Sequence, residues 1–358
     1  MPDQPPPHVP VVTCPGHIGH RPSVEVQCGV QVPAYDVVER MSSILAALES
    51  IPEVRLRAPR PFGEEPIRRV HEADVLRTLG LVERQLRMQE RSGELVFGDT
   101  FLHAELRAHV GTVPPVGSNL GALLGRLCFD TITGFGAGTA SAAVSAVDTA
   151  LSAAEQLLAG PARLVLALCR PPGHHAGARL MGGGTFLNNA AVAAQWLRDQ
   201  GIGRIAVLDI DFHHGNGTQA IFYDRDDVVY VSVHGHPSRS FPYFTGWPDE
   251  TGSGRGRGWN HNIPLPEGAD GDVYRDRLTD ALAVVDRCRP EALVLSLGFD
   301  TYVSDVAGDA RLTTGDYRSV GADIARLAVP TLAVLEGGYA VDDLGANLVS
   351  WLAGHQAW

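Results

Sequence analysis

LDIDFHHGNGTQ, residues 208–219, is the stretch from which the rest of the chain can be read. It follows Ile205, Ala206 and Val207, which with Leu208 make an apolar run suited to a strand buried on both faces. Asp209, Asp211 and His213 then stand at alternate positions. Side chains along a strand alternate between faces with a period of two, so these three lie on one side of the chain. Carboxylates and an imidazole spaced in this way can bind one metal ion without distorting the backbone. The Gly215-Asn216-Gly217 turn then lets the chain pass close beneath whatever is bound. A charged strand end leading into a glycine turn would account for one Asp and one His. It accounts poorly for two of each within residues 209–214.

A second cluster fits the first. Another apolar run, residues 164–168, leads into Arg170-Pro171-Pro172-Gly173-His174-His175, where the prolines and glycine end the strand in a rigid turn. The adjacent histidines could be metal ligands, an acid/base pair or polar loop residues. Asp209 and Asn216 are side chains of the kind that orient a working imidazole.

Further strands are predicted at residues 205–210, 228–233, 292–297 and 331–335, and helices at 37–48, 137–158, 188–200, 272–287 and 314–327. Strands alternating with helices imply an α/β fold: a single-domain open parallel sheet with helices on both faces. In such sheets ligands bind at the carboxyl ends of the strands. His174 and His175, the 209–213 segment, Asp300 and Tyr339 all follow strand ends, so they are expected to converge on one site. Residues 1–10 read as a proline-rich, disordered leader, and 11–358 as one catalytic domain.

Acidic residues outnumber basic ones 41 to 29, for a net charge of -12, and the chain has no lysine. That balance argues against nucleic acid or an anionic membrane as partner and favours cationic substrates. The 5 cysteines are odd in number and form no CxxC, so a reduced, cytoplasmic protein is expected. No apolar stretch is long enough to span a membrane.

PPGHHA (171–176), FLNNAAVAA (186–194), LDIDFHHGNGTQ, LSLGFD (295–300) and LEGGYA (335–340) occur in the order seen in the histone deacetylase superfamily. The chain resembles that superfamily from about residue 35 to 352. It is most similar to bacterial acetylpolyamine amidohydrolases and class II histone deacetylase-like amidohydrolases, through FPYFTGWPDETG (241–252), NIPLPEG (262–268) and LTTGDY (312–317). The resemblance implies an arginase/deacetylase-like fold and a zinc ion held by Asp211, His213 and Asp300. Iron(II) and cobalt(II) are alternatives at such a site. A metal site of this kind keeps one position open and acidifies water. Taken by itself, Asp300 after Gly-Phe would read as a turn or helix-cap residue.

The resemblance further implies that His175 is general base and acid with Asn216 behind it. It pairs His174 with Asp209 for electrostatic support, and has Tyr339 donate its hydroxyl to the oxyanion. A structural potassium ion would be held by Asp209, Asp211 and Ser232 with the carbonyls of His213 and Val233. Family members narrow the channel with two aromatics. Phe241 matches one; the other position is Gly184, within Gly182-Gly183-Gly184, so either the channel is wider or an aromatic from another loop fills the gap. Ala307 stands where a polyamine-selective branch has a gatekeeper Glu. The resemblance is weakest over residues 81–126, which it makes a variable loop region with a role in dimer contact; Glu94, Asp99 and Glu105 are acids in that stretch. The expected substrate is a small acylated amine such as an acetylpolyamine, and the chain is expected to form a homodimer. A protein acetyl-lysine deacetylase and a catalytically silent acyl-amine binding module are the alternatives.

Overall fold

The structure, a computed structural model, describes residues 8–108 and 119–356. Its strands are β1 (Val9–Thr13), β2 (Val24–Gln27), β3 (Val30–Pro33), β4 (Val54–Arg57), β5 (Leu164–Leu168), β6 (Ile205–Asp209), β7 (Val228–Gly235), β8 (Asn260–Leu265), β9 (Ala292–Leu297) and β10 (Thr331–Leu335). Eight of them form one sheet in the order β4-β1-β5-β10-β9-β6-β7-β8, and β2 and β3 form a separate hairpin. Every pairing in the large sheet is parallel.

Strand composition follows position in the sheet. LVLAL of β5, IAVLD of β6, ALVLSL of β9 and TLAVL of β10 are buried at every residue. Helices cover both faces, and successive side chains go to opposite cores. Val165, Ala167, Ile205 and Val207 join the core under the alanine-rich helix Thr139–Ala159 and helix Asn189–Asp199. Leu164, Leu166, Leu168, Ala206 and Leu208 join the other, under helices Glu39–Leu48, Gly271–Cys288, Thr314–Ala325 and Val341–His355. Each fully buried Leu or Val contributes roughly 1.5–3 kcal/mol over leaving it in water. Hence the centre of the sheet is the rigid part of the molecule.

Two expectations about the chain's organisation need correction. Val9 and Pro10 lie in β1, in register with Val54 and Arg55, so residues 9 and 10 belong to the sheet and not to a disordered leader. Residues 1–7 fall outside the described part. The 81–126 stretch is not simply loop: helix Ala73–Met88 runs into it, and Ala104–Ala108 and Leu120–Gly125 are helical. Val75, Leu79, Val82 and Leu86 bury one face of the first of these helices. Among the described residues no helix is long and apolar enough to cross a membrane.

Candidate active site

The strands that carry the sequence-predicted residues, β5, β10, β9 and β6, are consecutive in the sheet. Their carboxyl ends therefore open side by side, and His175, His213, Tyr339, Phe241, Gly183 and Gly184 line one cavity of about 630 Å³.

Asp211, His213 and Asp300 lie together, each offering one ligand atom, with those atoms within 4.8 Å of one another. Both carboxylates are held by backbone donors. The N–H groups of Gly337 and His213 donate to Asp211 at 2.8 and 2.9 Å, and that of Phe212 donates to Asp300 at 2.7 Å. His213 Nε2 donates to the carbonyl of Ala307 at 3.1 Å, so Nδ1 is the nitrogen turned to Asp300 Oδ2, 2.8 Å away. An imidazole fixed through its far nitrogen is how a metal-ligating histidine is oriented.

The charge balance agrees with that donor set. Burial and the Asp211 charge push Asp300 up to about 7. Burial opposes a charge on His213, yet hydrogen bonds and charge from Asp211 and Asp300 push it up to about 10. The cluster thus carries more negative charge than its surroundings tolerate, and a divalent cation would relieve it. Two carboxylates and one imidazole suit a borderline or hard divalent ion and leave room for a fourth ligand.

The tandem histidines have opposite environments. His174 is buried, with Nδ1 3.1 Å from Asp209 Oδ2 and Nε2 3.7 Å from Asp211. Burial opposes its charge, but those carboxylates push it up to about 10. His175 has Nδ1 2.8 Å from Asn216 Oδ1. Burial, with the nearby His174 and His213, holds His175 well below the ordinary histidine range. Its Nδ1–H donates to the amide oxygen and its Nε2 is left as a base. The glycine turn explains the fit of these groups: a Cβ at Gly217 would lie 2.4 Å from the backbone of Ala176.

FLNN has a mechanical part in this. Asn188 caps helix Asn189–Asp199, and its amide nitrogen donates to the carbonyl of Ala176 at 2.9 Å. Asn189 donates to the carbonyl of Pro171 at 3.1 Å. Together they clamp the loop that carries His174 and His175.

Tyr339 follows β10 and lies beneath Arg40, whose guanidinium carbon is 4.9 Å from the ring centroid. Burial raises its hydroxyl well above the usual tyrosine range, so it stays a proton donor. Asp209 and Ser232 are register partners on β6 and β7, and Val233 follows Ser232 inside β7.

Four groups escaped the sequence reading. Asp305 Oδ2 accepts from the backbone of Tyr339 at 2.5 Å and of Ala340 at 3.0 Å, and Oδ1 accepts from Ala307 at 3.0 Å. This one carboxylate joins the Tyr339 turn to the loop that orients His213. Glu336 is buried and accepts from the N–H groups of Gly173 and His174, tying β10 to the tandem-histidine loop. Glu25, from the hairpin, is a cavity acid that no strand-end pattern announces. Phe129 stacks on Phe241 with ring centroids 5.7 Å apart and an interplanar angle of 19°. Of the two alternatives left open at Gly184, a wider channel or an aromatic from another loop, this ring from a loop distant in sequence favours the second. Glu94, Asp99 and Glu105 do not line the cavity; its carboxylates are Glu25, Asp36, Asp130 and Asp309.

Residues 35–354 match the histone deacetylase domain. The chain is 44% identical over 340 residues to acetylpolyamine amidohydrolase 1 of Pseudomonas aeruginosa, covering 95% of this chain and 96% of that protein. It is 39% identical over 330 residues to the acetylpolyamine amidohydrolase of Mycoplana ramosa, covering 92% and 94%. The crystal structure of acetylpolyamine aminohydrolase from Burkholderia pseudomallei superposes with a TM-score of 0.90 at 38% identity, over 98% of this chain and 99% of that one. The chain belongs to the histone deacetylase family.

Proposed function

We propose that this protein hydrolyses the amide of small acetylated amines, acetylpolyamines foremost, with one zinc ion held by Asp211, His213 and Asp300. The observation that carries this reading is the company these residues keep in one cavity. His213 of the metal-type triad, a neutral His175 and Tyr339 line it together with Glu25 and Asp130, acids that form no ion pair with an arginine among the described residues. Such acids attract a cationic amine to the mouth. Relatives named as acetylpolyamine amidohydrolases, matched over nearly their whole length, support the same substrate class.

A divalent ion bound there supplies Lewis acidity to the amide carbonyl and lowers the pKa of water. The chain's own groups do the rest. His175 Nε2 takes a proton from the attacking water while Asn216 holds the ring, and then returns it to the departing amine nitrogen. Tyr339 donates its hydroxyl to the carbonyl oxygen as negative charge develops on it. His174, between Asp209 and Asp211, adds positive charge behind the site. A potassium ion on Asp209, Asp211, Ser232 and the carbonyls of His213 and Val233 would brace the floor.

Metal analysis with a panel of acetylated diamines, polyamines and acetyl-lysine peptides tests the proposal. One zinc per chain and highest kcat/KM on an acetylated polyamine are expected. Full activity after metal removal, or a preference for peptides, overturns it; iron or cobalt at the site overturns the zinc assignment alone.

A further inference from the structure

We propose that Phe129 is the second wall of the substrate channel and the residue that sets how wide an amine stem the site accepts. The inference rests on the reading of the cavity as an acyl-amine channel. One wall is Phe241, whose ring stands edge-on to His175 at 5.0 Å and to His213 at 6.2 Å. Opposite it runs Gly182-Gly183-Gly184, a segment with no side chains of its own. Gly183 cannot carry one: its φ is +58°, and a Cβ would lie 2.2 Å from the His175 ring. Gly184 has φ +71°, and a Cβ there would meet nothing within 4 Å. The glycine run therefore leaves a wall unbuilt beside the catalytic histidine.

Phe129 builds it. Its ring covers Gly182 so closely that a Cβ there would lie 2.0 Å from Phe129 Cε1. The other side of the ring stacks on Phe241. Residues 128–133 are also fastened to the glycine run. Phe129 N donates to Met181 O at 3.1 Å, and Met181 N to Leu127 O at 2.6 Å. Asp130 Oδ2 accepts from Gly183 N at 2.5 Å, and Thr133 Oγ1 accepts from Gly184 N at 3.1 Å. Asp130 Oδ1 in turn holds the N–H groups of Ile132 and Thr133, each at 3.1 Å. The loop and the run behave as one piece, with Phe129 as its only ring.

Width follows from contact distances. A methylene chain between two ring faces needs about 3.5–4.0 Å to each, or roughly 7–8 Å in all. The rings stand at 5.7 Å, so a substrate enters by parting them, and a thicker stem parts them further. Differences of bulk in a close-fitting pocket are worth about 10–200-fold in specificity.

The test compares N-acetyl-1,5-diaminopentane with N-acetyl-1,4-bis(aminomethyl)cyclohexane, which places the same charges on a wider stem. The wild-type protein should favour the slim compound. Phe129→Ala should shrink the slim-to-wide ratio of kcat/KM by about tenfold or more, and Phe129→Leu, which keeps apolar bulk, should fall between. A ratio within about twofold of wild type in Phe129→Ala overturns the assignment. Where a compound is bound but not turned over, direct titration reads the discrimination as a ratio of Kd values instead. A wild-type protein that binds with discrimination but does not hydrolyse would count against the amidohydrolase reading alone.

Discussion

The floor of the cavity and its wall are made by different means. Floor side chains sit within a few residues of the carboxyl ends of β5, β6, β9 and β10, the fully buried centre of the sheet. Their positions are inherited from the strand ladder. The wall consists of a loop at residues 128–133 hydrogen-bonded to a glycine run at 182–184, and its key bond, Asp130 to Gly183, joins residues 53 apart. On the proposed reading, chemistry belongs to the floor and selectivity to the wall. Floor substitutions should lower turnover on every substrate alike, whereas wall substitutions should change ratios between substrates.

Asp211→Ala should have the largest effect. It removes a metal-type ligand and leaves His174 and His213 without the carboxylate that both face. Hydrolysis of slim and wide amides should fall together to background, and purified protein should carry no stoichiometric metal by elemental analysis. Retention of one tightly bound ion would show that the floor does not rest on this triad.

Tyr339→Phe comes next. The ring and its place beneath Arg40 are kept, while the hydroxyl proposed to donate to the oxyanion is lost. Removing one such donor costs about 10²–10³ in kcat. KM should move far less, and the slim-to-wide ratio should hold. A changed ratio with kcat intact would place Tyr339 in the wall.

How much of this was legible in the sequence follows the same division. The four central strands are unbroken apolar runs, because burial on both faces demands it, and each motif residue lies just beyond one. β1 was hidden by Pro10 in a proline-rich start, although β4 and β5 flank it on both sides. β4 and β8 are edge strands; VRLR and NHNIPL carry polar residues, and NHNIPL a proline, as edge strands commonly do. Asp305 and Glu336 act on backbone N–H groups, for which no residue pattern exists to search. Phe129 was invisible for another reason: a glycine at 184 announces a gap, but which distant loop fills it depends on how the loops pack. The sheet's order of strands does not decide that.

The floor should also respond to acid. His71 Nδ1 donates to the carbonyl of Gly177, and its Nε2 accepts from Asn188 N, both at 2.9 Å. These bonds brace the tandem-histidine loop only while the ring is neutral. Burial lowers His71 from 6.5 to about 4. The folded pKa lies below the unfolded one, so the stabilisation is complete above pH 6.5 and is lost as pH falls towards 4. The shift is worth on the order of 3 kcal/mol, or about 300-fold in the folding equilibrium. His71→Gln can make both bonds without titrating, so its melting temperature should fall less steeply than wild type between pH 6.5 and 4. Parallel slopes would remove His71 from the acid response.

The smallest effect sharpens the comparison most. Asp130→Asn keeps the shape of the side chain and one carbonyl oxygen, but replaces with a donor either the oxygen that accepts from Gly183 or the one that holds both Ile132 and Thr133. Either the anchor between the loop and the glycine run is lost or the bonds that hold the loop's own turn are, and in both cases Phe129 gains freedom without losing its ring. A hydrogen bond to a charged group is worth about 1.5–3 kcal/mol, yet Phe129 N–H and the Thr133 hydroxyl still fasten the loop. The slim-to-wide ratio should therefore fall by only a fewfold, less than in Phe129→Ala, while kcat on the slim substrate stays near wild type. Asp130 also lines the cavity as an acid, so a second reading is open to the same experiment. If its charge attracts the distal amine, the variant should raise KM for both compounds equally, more so at low ionic strength, and leave the ratio untouched. A changed ratio with steady KM for the slim compound assigns Asp130 to the wall. A shared rise in KM assigns it to the mouth, and would mean that Phe129 is held by packing against Gly182 and Phe241 without help from this anchor.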